Sequence, residues 1–307
     1  MYQTLINALP FTDFEVACRA VLAFLHDRLG FDMWMMTRAN GEDWIILQTE
    51  DYSYYIEEGT TLKWTDSFCS LMMENKGPRV APCSRDIEAY VKAPIARQMN
   101  IGAYFGVPVL QEDGRLFGTL CAIDPEPQPQ SIEAELPLVE LLASLLGSIL
   151  SKELKALDQE RRFKLTLSVD LMDETTTLPN RRAWDQAVAR EEYIASRYGS
   201  PICVAALEIV QKGVESQNGN PAYVSQARSV AFSLQKTLPS SAFIAKVGEG
   251  VFGVLMPEYS RAMASPILER SVEALQLEGI PMRYGMSMRR SEEGVSQAFM
   301  EAVKAKN

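Results

Sequence analysis

The residues of this chain that could do chemistry are few and widely spaced. Gly248-Glu249-Gly250 sets two glycines about a carboxylate, a turn that could be taken for a phosphate-binding loop. It lacks a following Gly-Lys-Ser/Thr and the third glycine of a dinucleotide fingerprint, so alone it reads as a plain hairpin turn. His26 is the only histidine. A Ser-His-Asp relay would therefore have one possible base, and no nucleophile elbow accompanies it. It lies beside apolar positions of a helix, where a structural role is expected. The five cysteines, Cys18, Cys69, Cys83, Cys121 and Cys203, show no Cys-x-x-Cys spacing and an odd count, which points to a reduced chain without a zinc site. No metal ligand set is expected, and no cofactor.

The elements that must position these residues follow from length and pattern. With 307 residues, 47% of them hydrophobic and 23% charged, the chain is long enough for two domains, each with its own core. A formal charge of −10 repels phosphate backbones and argues against general nucleic-acid binding. The first residues have no charged segment followed by an apolar one, so no secretory signal is read there. The most apolar stretch, 136–150, contains Glu140 and runs into Lys152; it is too short to span a bilayer and suits a buried or paired helix. A cytoplasmic location is expected, without membrane insertion.

Phe14, Ala17, Val21, Phe24, Leu25 and Leu29 recur at helical spacing, and Gly30 closes that helix. Strands are expected at 33–37 and 44–49, then, after a mixed region of short helices, at 102–110 and 115–124. Asp113-Gly114 turns the second pair. The run Pro125-Glu126-Pro127-Gln128-Pro129 breaks regular structure. From Ser131 to about Met172 one long helix is expected. Leu146, Leu150, Leu154, Leu157 and Leu165 have spacings suited to a partner helix, interrupted by Arg161 and Lys164. From Phe163 to Leu171 the apolar residues alternate with period two, which leaves a strand as the alternative there.

Two distant segments carry a resemblance. Residues 173–185, Asp173-Glu174-Thr175-Thr176-Thr177-Leu178-Pro179-Asn180-Arg181-Arg182-Ala183-Trp184-Asp185, resemble the DxLTGLPNRRxFD opening of GGDEF domains, which make cyclic di-GMP. Residues 246–257 resemble RYGGDEFxVLLP, but the signature itself reads Gly248-Glu249-Gly250-Val251-Phe252. The C-terminal run through Ala298, Phe299, Ala302 and Lys304 resembles the family's closing helix. In that family phosphoryl transfer depends on metal-holding carboxylates. Glu208 falls at the first such position, as a possible residual metal or nucleotide contact, whereas Val210 replaces the next Asp. Ser216 and Gln217 fall near the guanine contacts. Gly250 and Val251 replace the signature's Asp and Glu, and valine offers no lone pair. Glu249 lies within the turn and is not expected to substitute. The product-inhibition motif RxxD would fall at Pro239-Ser240-Ser241-Ala242, without either charge. The resemblance thus implies a degenerate domain with no catalytic residue.

Gly106-Val107-Pro108-Val109, then Asp113-Gly114 leading through Gly118-Thr119-Leu120 to Asp124, is similar to the closing hairpin of a GAF domain. That resemblance implies a sensor with a small-molecule pocket, for which Phe68, Cys69, Tyr104, Arg97 and Asp124 are the candidate residues. Cys69 can be a pocket thiol, a redox sensor, a chromophore attachment or simply a buried hydrophobe. No cysteine neighbours a histidine, which argues against a bilin photoreceptor. The expected fold is α/β (α+β): a GAF-type antiparallel sheet flanked by helices (1–130), a linker helix (131–172) and a degenerate GGDEF, nucleotidyl-cyclase-like α/β domain (173–307). A homodimer, a protein partner and an unidentified GAF ligand are expected, with no enzyme activity. A GTP- or cyclic-dinucleotide-binding regulator, or a cyclase with residual activity, is the alternative.

Overall fold

The computed structural model describes residues 11–163, 169–210 and 221–306. The chain divides into two compact units, Met1–Leu157 and Asp158–Asn307.

In the first unit, α1 (Phe14–Leu29) starts on Asp13, whose carboxylate accepts the Val16 N–H at 3.0 Å, and stops at Gly30. A side-chain acceptor before the first turn satisfies an otherwise orphaned donor. Six strands follow: β1 (Met33–Asn40), β2 (Asp43–Asp51), β3 (Thr61–Lys63), β4 (Val80–Ala81), β5 (Ala103–Leu110) and β6 (Leu116–Asp124). They form an antiparallel sheet in the order β3-β2-β1-β6-β5-β4. Alternation in a strand sends every second side chain to one face. Met33, Met35, Ile46, Tyr104, Cys121 and Ile123 thereby share a core with α2 (Phe68–Met73), α3 (Glu88–Lys92) and α4 (Ile95–Gln98). Trp34 and Phe105 make a second aromatic group with Phe31, at centroid distances of 5.7 to 6.3 Å.

A 3-10 turn over Gln130–Glu135 leads into α5 (Leu136–Phe163). Val139, Ala143, Leu146 and Leu150 are buried. The helix lies so close to the end of β5 that a Cβ on Gly147 would come within 2.5 Å of the Leu110 carbonyl oxygen. Further ties are Ser151 Oγ, which accepts the Glu112 N–H at 3.2 Å, and Glu153, which accepts the Phe14 N–H at 3.0 Å. Residues 130–161 are long and apolar enough to cross a membrane by length and composition alone; the buried stripe and these ties belong to a helix packed on its own sheet.

The structure departs from two expectations. The helix does not run to Met172: Val169–Leu171 is a 3-10 turn and Met172 bridges Pro179. Leu165 and Leu167, part of the alternating stretch, lie outside the described residues. Leu146 and Leu150, read as a seam for a partner helix, are spent inside the first unit. Among the described residues, the large apolar side chains that α5 leaves exposed are Leu141 and Leu145, at 57% and 53%.

In the second unit, α6 (Arg181–Tyr198), β7 (Ile202–Ile209), α7 (Pro221–Thr237), β8 (Phe243–Gly248), β9 (Val251–Pro257), α8 (Arg261–Leu277), β10 (Met282–Met288) and α9 (Gly294–Lys304) succeed one another. The strands form an antiparallel sheet in the order β10-β7-β9-β8. β7 shows how the sheet is covered on both faces. Cys203, Ala205, Leu207 and Ile209 pack with residues of α7 and α8, whereas Ile202, Val204 and Ala206 pack with α6 and α9. Both faces are buried, so β7 reads as a continuous apolar run.

Replacing Gly147 with valine is expected to force α5 off β5 and destabilise the first unit by about 1–3 kcal/mol, the usual range for overpacking. Chemical denaturation followed by tryptophan fluorescence measures it; an unchanged midpoint would show that the close approach is not required.

Candidate functional site

The two segments that resemble a cyclase signature meet in space. Asp173 accepts the Thr176 N–H at 2.9 Å and the Thr176 hydroxyl at 2.8 Å, and pairs with Lys246 Nζ at 3.2 Å. The Lys246 N–H donates to the Pro179 carbonyl at 2.8 Å. Burial opposes the charge on Asp173, but its hydrogen bonds from Thr176 and Lys246 prevail and hold its carboxyl below the usual aspartate value. Asn180 caps α6, accepting from the Arg182 and Ala183 N–H groups at 3.0 and 3.2 Å. Trp184, on the same helix, packs against Phe299 of α9 with ring centroids 4.8 Å apart. The frame residues of both segments therefore hold the fold together.

Gly248-Glu249-Gly250-Val251 turns β8 into β9, with Gly248 opposite Val251. Gly250 adopts φ +65°, a conformation costly for any residue with a Cβ. Its N–H donates to the Tyr223 hydroxyl at 2.6 Å, and its carbonyl accepts the Ile209 N–H at 2.9 Å. Tyr223 is buried on α7 and braces the turn from beneath. Glu249 is exposed at the tip, and Phe252 is fully buried beneath it.

Glu208 stands directly opposite Val251 across the β7–β9 pairing and opposite Arg283 across β7–β10. The two positions that the resemblance assigns to metal-holding carboxylates are thus neighbours on one face, but only one carries a carboxylate. That carboxylate is engaged by Lys306 at 2.8 Å and Arg283 at 3.4 Å. Among the described residues no three His, Cys, Asp or Glu side chains gather to hold a metal ion. The substitutions read at Ser216 and Gln217 lie outside the described residues. Pro239-Ser240-Ser241-Ala242 forms the turn between α7 and β8. Sequence reasoning missed the contacts of Tyr223, Arg283 and Lys306, to which no spacing or motif pointed; the Arg283–Glu208 register emerges only from the folded sheet.

The opposite flank of this unit carries a denser ion pair. Glu192 accepts Arg289 Nε and Nη2 at 3.0 and 2.5 Å and the Val295 N–H at 2.6 Å, which seats the start of α9. Burial raises its proton affinity, yet the hydrogen bonds from Arg289 and Val295 outweigh this, and the carboxyl titrates below ordinary glutamate.

In the first unit Phe68, Cys69 and Tyr104 line one cavity of about 20 Å³ together with Met35, Cys121 and others. Phe68 stacks on Tyr90 at 4.4 Å, and the Tyr104 hydroxyl donates to Cys69 Sγ at 3.4 Å. Burial opposes ionisation of both thiols. Hydrogen bonds from Cys121, Thr119 and Tyr104 bring Cys69 below its usual value, whereas burial and Cys69 keep Cys121 well above. Arg97 and Asp124, expected at this pocket, are elsewhere. Arg97 is exposed on α4. Asp124 is a buried cap that accepts the Asp32 N–H, the Glu126 N–H and Gln128 Nε2 at 2.9 to 3.2 Å. His26 is structural: its Nδ1 lies 2.8 Å from the Phe31 carbonyl, and its ring stacks on Tyr52 at 4.0 Å.

Comparison with known proteins places both resemblances. Residues 13–150 match the GAF domain and residues 170–295 the diguanylate cyclase GGDEF domain; the chain carries one domain of each, in that order. Over 168 residues it is 31% identical to diguanylate cyclase DgcP of Pseudomonas aeruginosa, covering 52% of this chain and 24% of that protein. It is 24% identical over 168 residues to diguanylate cyclase DgcP of Escherichia coli, covering 54% and 47%. The match thus spans half or less of each relative. Among solved structures, the GGDEF domain of DgcB from Caulobacter crescentus, in complex with c-di-GMP, is similar at 22% identity and TM-score 0.41, covering 46% of this chain and 90% of that one.

Because the folded-state values of Asp173 and Glu192 are depressed, the stability they contribute is complete above the unfolded carboxylate range. It is lost as pH falls through the folded values. The melting temperature of the second unit is expected to hold above pH about 5.5 and to fall below pH about 4.5. Glu192→Gln should lower the plateau and flatten the acid slope; an acid slope identical to wild type would remove Glu192 from the account.

Proposed function

We propose that the chain is a non-catalytic cytoplasmic signalling protein in which a GAF sensor domain is coupled through α5 to a GGDEF domain. That second domain serves as an interaction or regulatory module in cyclic di-GMP-related signalling. The observation that carries this reading is the Glu208–Val251 pair. Metal-assisted phosphoryl transfer needs carboxylates that hold cations against phosphate charge. Here one of the two facing positions is a hydrocarbon, and the other carboxylate already has the Lys306 ammonium and the Arg283 guanidinium as partners. The residues present at this pair of positions do not fit a magnesium ion.

A second reading has its own support. The relatives are named diguanylate cyclases, and Glu208 and Gly248 survive in the frame. On that reading the domain still holds GTP or a cyclic dinucleotide, or retains weak turnover.

The partner surface proposed for a homodimer is the outer face of α5, where Leu141 and Leu145 stand exposed. Two exposed leucines one helical turn apart, with Ser144, Ser148 and Lys152 beside them, suit a second helix.

Incubation of the purified chain with GTP and Mg²⁺ or Mn²⁺, read by chromatography, is expected to give no cyclic di-GMP and no linear dinucleotide. Product that disappears in Glu208→Ala would overturn the non-catalytic reading in favour of residual turnover. Calorimetric titration with GTP and cyclic di-GMP separates the other alternative: heat of binding without product would make the domain a nucleotide receptor.

Light scattering at micromolar concentration is expected to give a dimer that becomes a monomer in the double variant Leu141→Arg, Leu145→Arg. A wild-type monomer, or a dimer that survives both substitutions, would move the interface away from α5.

A further inference from the structure

We propose that Cys69, Cys121 and Met35 form a binding site for one soft monovalent cation of the Cu(I) class inside the first unit. The β1–β6 register sets Met35 directly opposite Cys121, and directly opposed residues project to the same face with Cβ atoms about 4.5–5.5 Å apart. From above that face, α2 lowers Cys69 to 3.3 Å from the Thr119 hydroxyl oxygen, which is itself 3.6 Å from Cys121 Sγ. Two thiols, each 1% exposed, thus gather about one hydroxyl. Cys69, Cys121 and Met35 all line the same cavity.

Size and donor chemistry select the occupant. Sites for organic ligands run to about 300–1,000 Å³, whereas this cavity holds about 20 Å³. A nucleotide or a chromophore cannot enter it as it stands, but a single dehydrated ion can. Thiolates and a thioether are soft ligands that select Cu(I), and neither an imidazole nor a carboxylate lines the cavity to suit a harder ion. Zn²⁺ in a structural site takes four ligands from Cys, His, Asp or Glu, and no such group of even three occurs among the described residues.

Binding balances as two thiol protons released to solvent, two copper–sulfur bonds formed by the thiolates, and one dative bond from the Met35 sulfur, with no change in oxidation state. The Tyr104 hydroxyl, 3.4 Å from Cys69 Sγ, and the Thr119 hydroxyl donate to sulfur and compensate the negative charge left on the ligand set. The metal would tie α2 to β6, across the core of the domain assigned above to sensing. The inference takes its biological sense from that assignment, but the binding itself stands on the strand register, the hydroxyl that both thiols approach and the cavity they share.

The test is an anaerobic titration of the full-length chain with Cu(I) against bicinchoninate, whose coloured complex reports metal not taken up. One equivalent per chain is expected to be withheld from the competitor, and X-ray absorption of the loaded protein should show sulfur neighbours only. Cys69→Ser and Cys121→Ser should each abolish the withheld equivalent. Thr119→Val, which keeps the shape but removes the hydroxyl, should weaken it about tenfold. The triple variant Cys18→Ser, Cys83→Ser, Cys203→Ser should retain the equivalent in full. Circular dichroism checks that each variant is folded, and a rise in the wild-type melting temperature with Cu(I) gives a readout that needs no variant.

No withheld equivalent, or one that survives loss of both Cys69 and Cys121, would overturn the proposal. So would tight Zn²⁺ binding by the same pair, or a Cys69–Cys121 disulfide formed without retained metal. Failure of this titration leaves the reading of the GGDEF domain untouched, since that stands on the Glu208–Val251 pair and is tested separately with GTP.

Discussion

The second unit depends on the two-sided pairing of β7. Over residues 203–208 this strand is in register with β9 on one side and β10 on the other, and its side chains alternate between two helix-covered cores. A strand satisfied in this way has little freedom to shift, because slipping by one residue would exchange its two faces. The backbone site at the end of β7 is therefore fixed whatever stands at 208 and 251. Chemistry can leave those positions while the fold remains. Glu208 belongs to the face covered by α6 and α9, which brings Lys306, just beyond α9, within reach of it.

Several carboxylates seated among the helices and strands of this unit are paired with chain cations. Asp173 has Lys246, Glu192 has Arg289, and Glu191, 1% exposed, has Arg161 and Arg190. A buried carboxylate without such partners would bear a desolvation cost of several kcal/mol. Glu208 follows the same rule with Lys306 and Arg283. An entering divalent cation would have to displace two positive groups from it, and across the strand it would meet Val251, which offers no lone pair. The electrostatics and the missing ligand point the same way.

Much of this was legible in the sequence because local rules and core packing wrote it there. Gly30 and Gly250 mark a helix end and a turn whose positive φ only a few residue types adopt, and β1, β2, β5 and β6 announce themselves as apolar runs bounded by turn residues. The partners of Glu208 were not legible. Lys306 and Arg283 are 98 and 75 residues away and stand in no pattern of their own. Arg97 and Asp124 were misplaced because a polar residue beside a hairpin reads equally well as a pocket contact or as a cap. The leucines of α5 gave a similar ambiguity, since helical spacing shows that one face is buried without saying whether the cover is a partner helix or the protein's own sheet.

The first unit separates framework from chemistry as the second does, but in the opposite sense. Its hairpin and flanking helices are those of a GAF domain, yet the cavity they enclose is closed down by Phe68, Tyr90 and Tyr104, three rings packed at 4.4 to 5.6 Å. Aromatic side chains in that arrangement contribute beyond their buried area, so enlarging the space for an organic ligand means breaking ring contacts as well as moving a helix. The groups left facing the remaining space are sulfur and hydrocarbon. A site of that composition discriminates by softness and size, not by hydrogen-bonded shape. The GGDEF domain sets one carboxylate, Glu208, opposite a hydrocarbon at Val251, whereas the GAF domain sets two thiols about one hydroxyl.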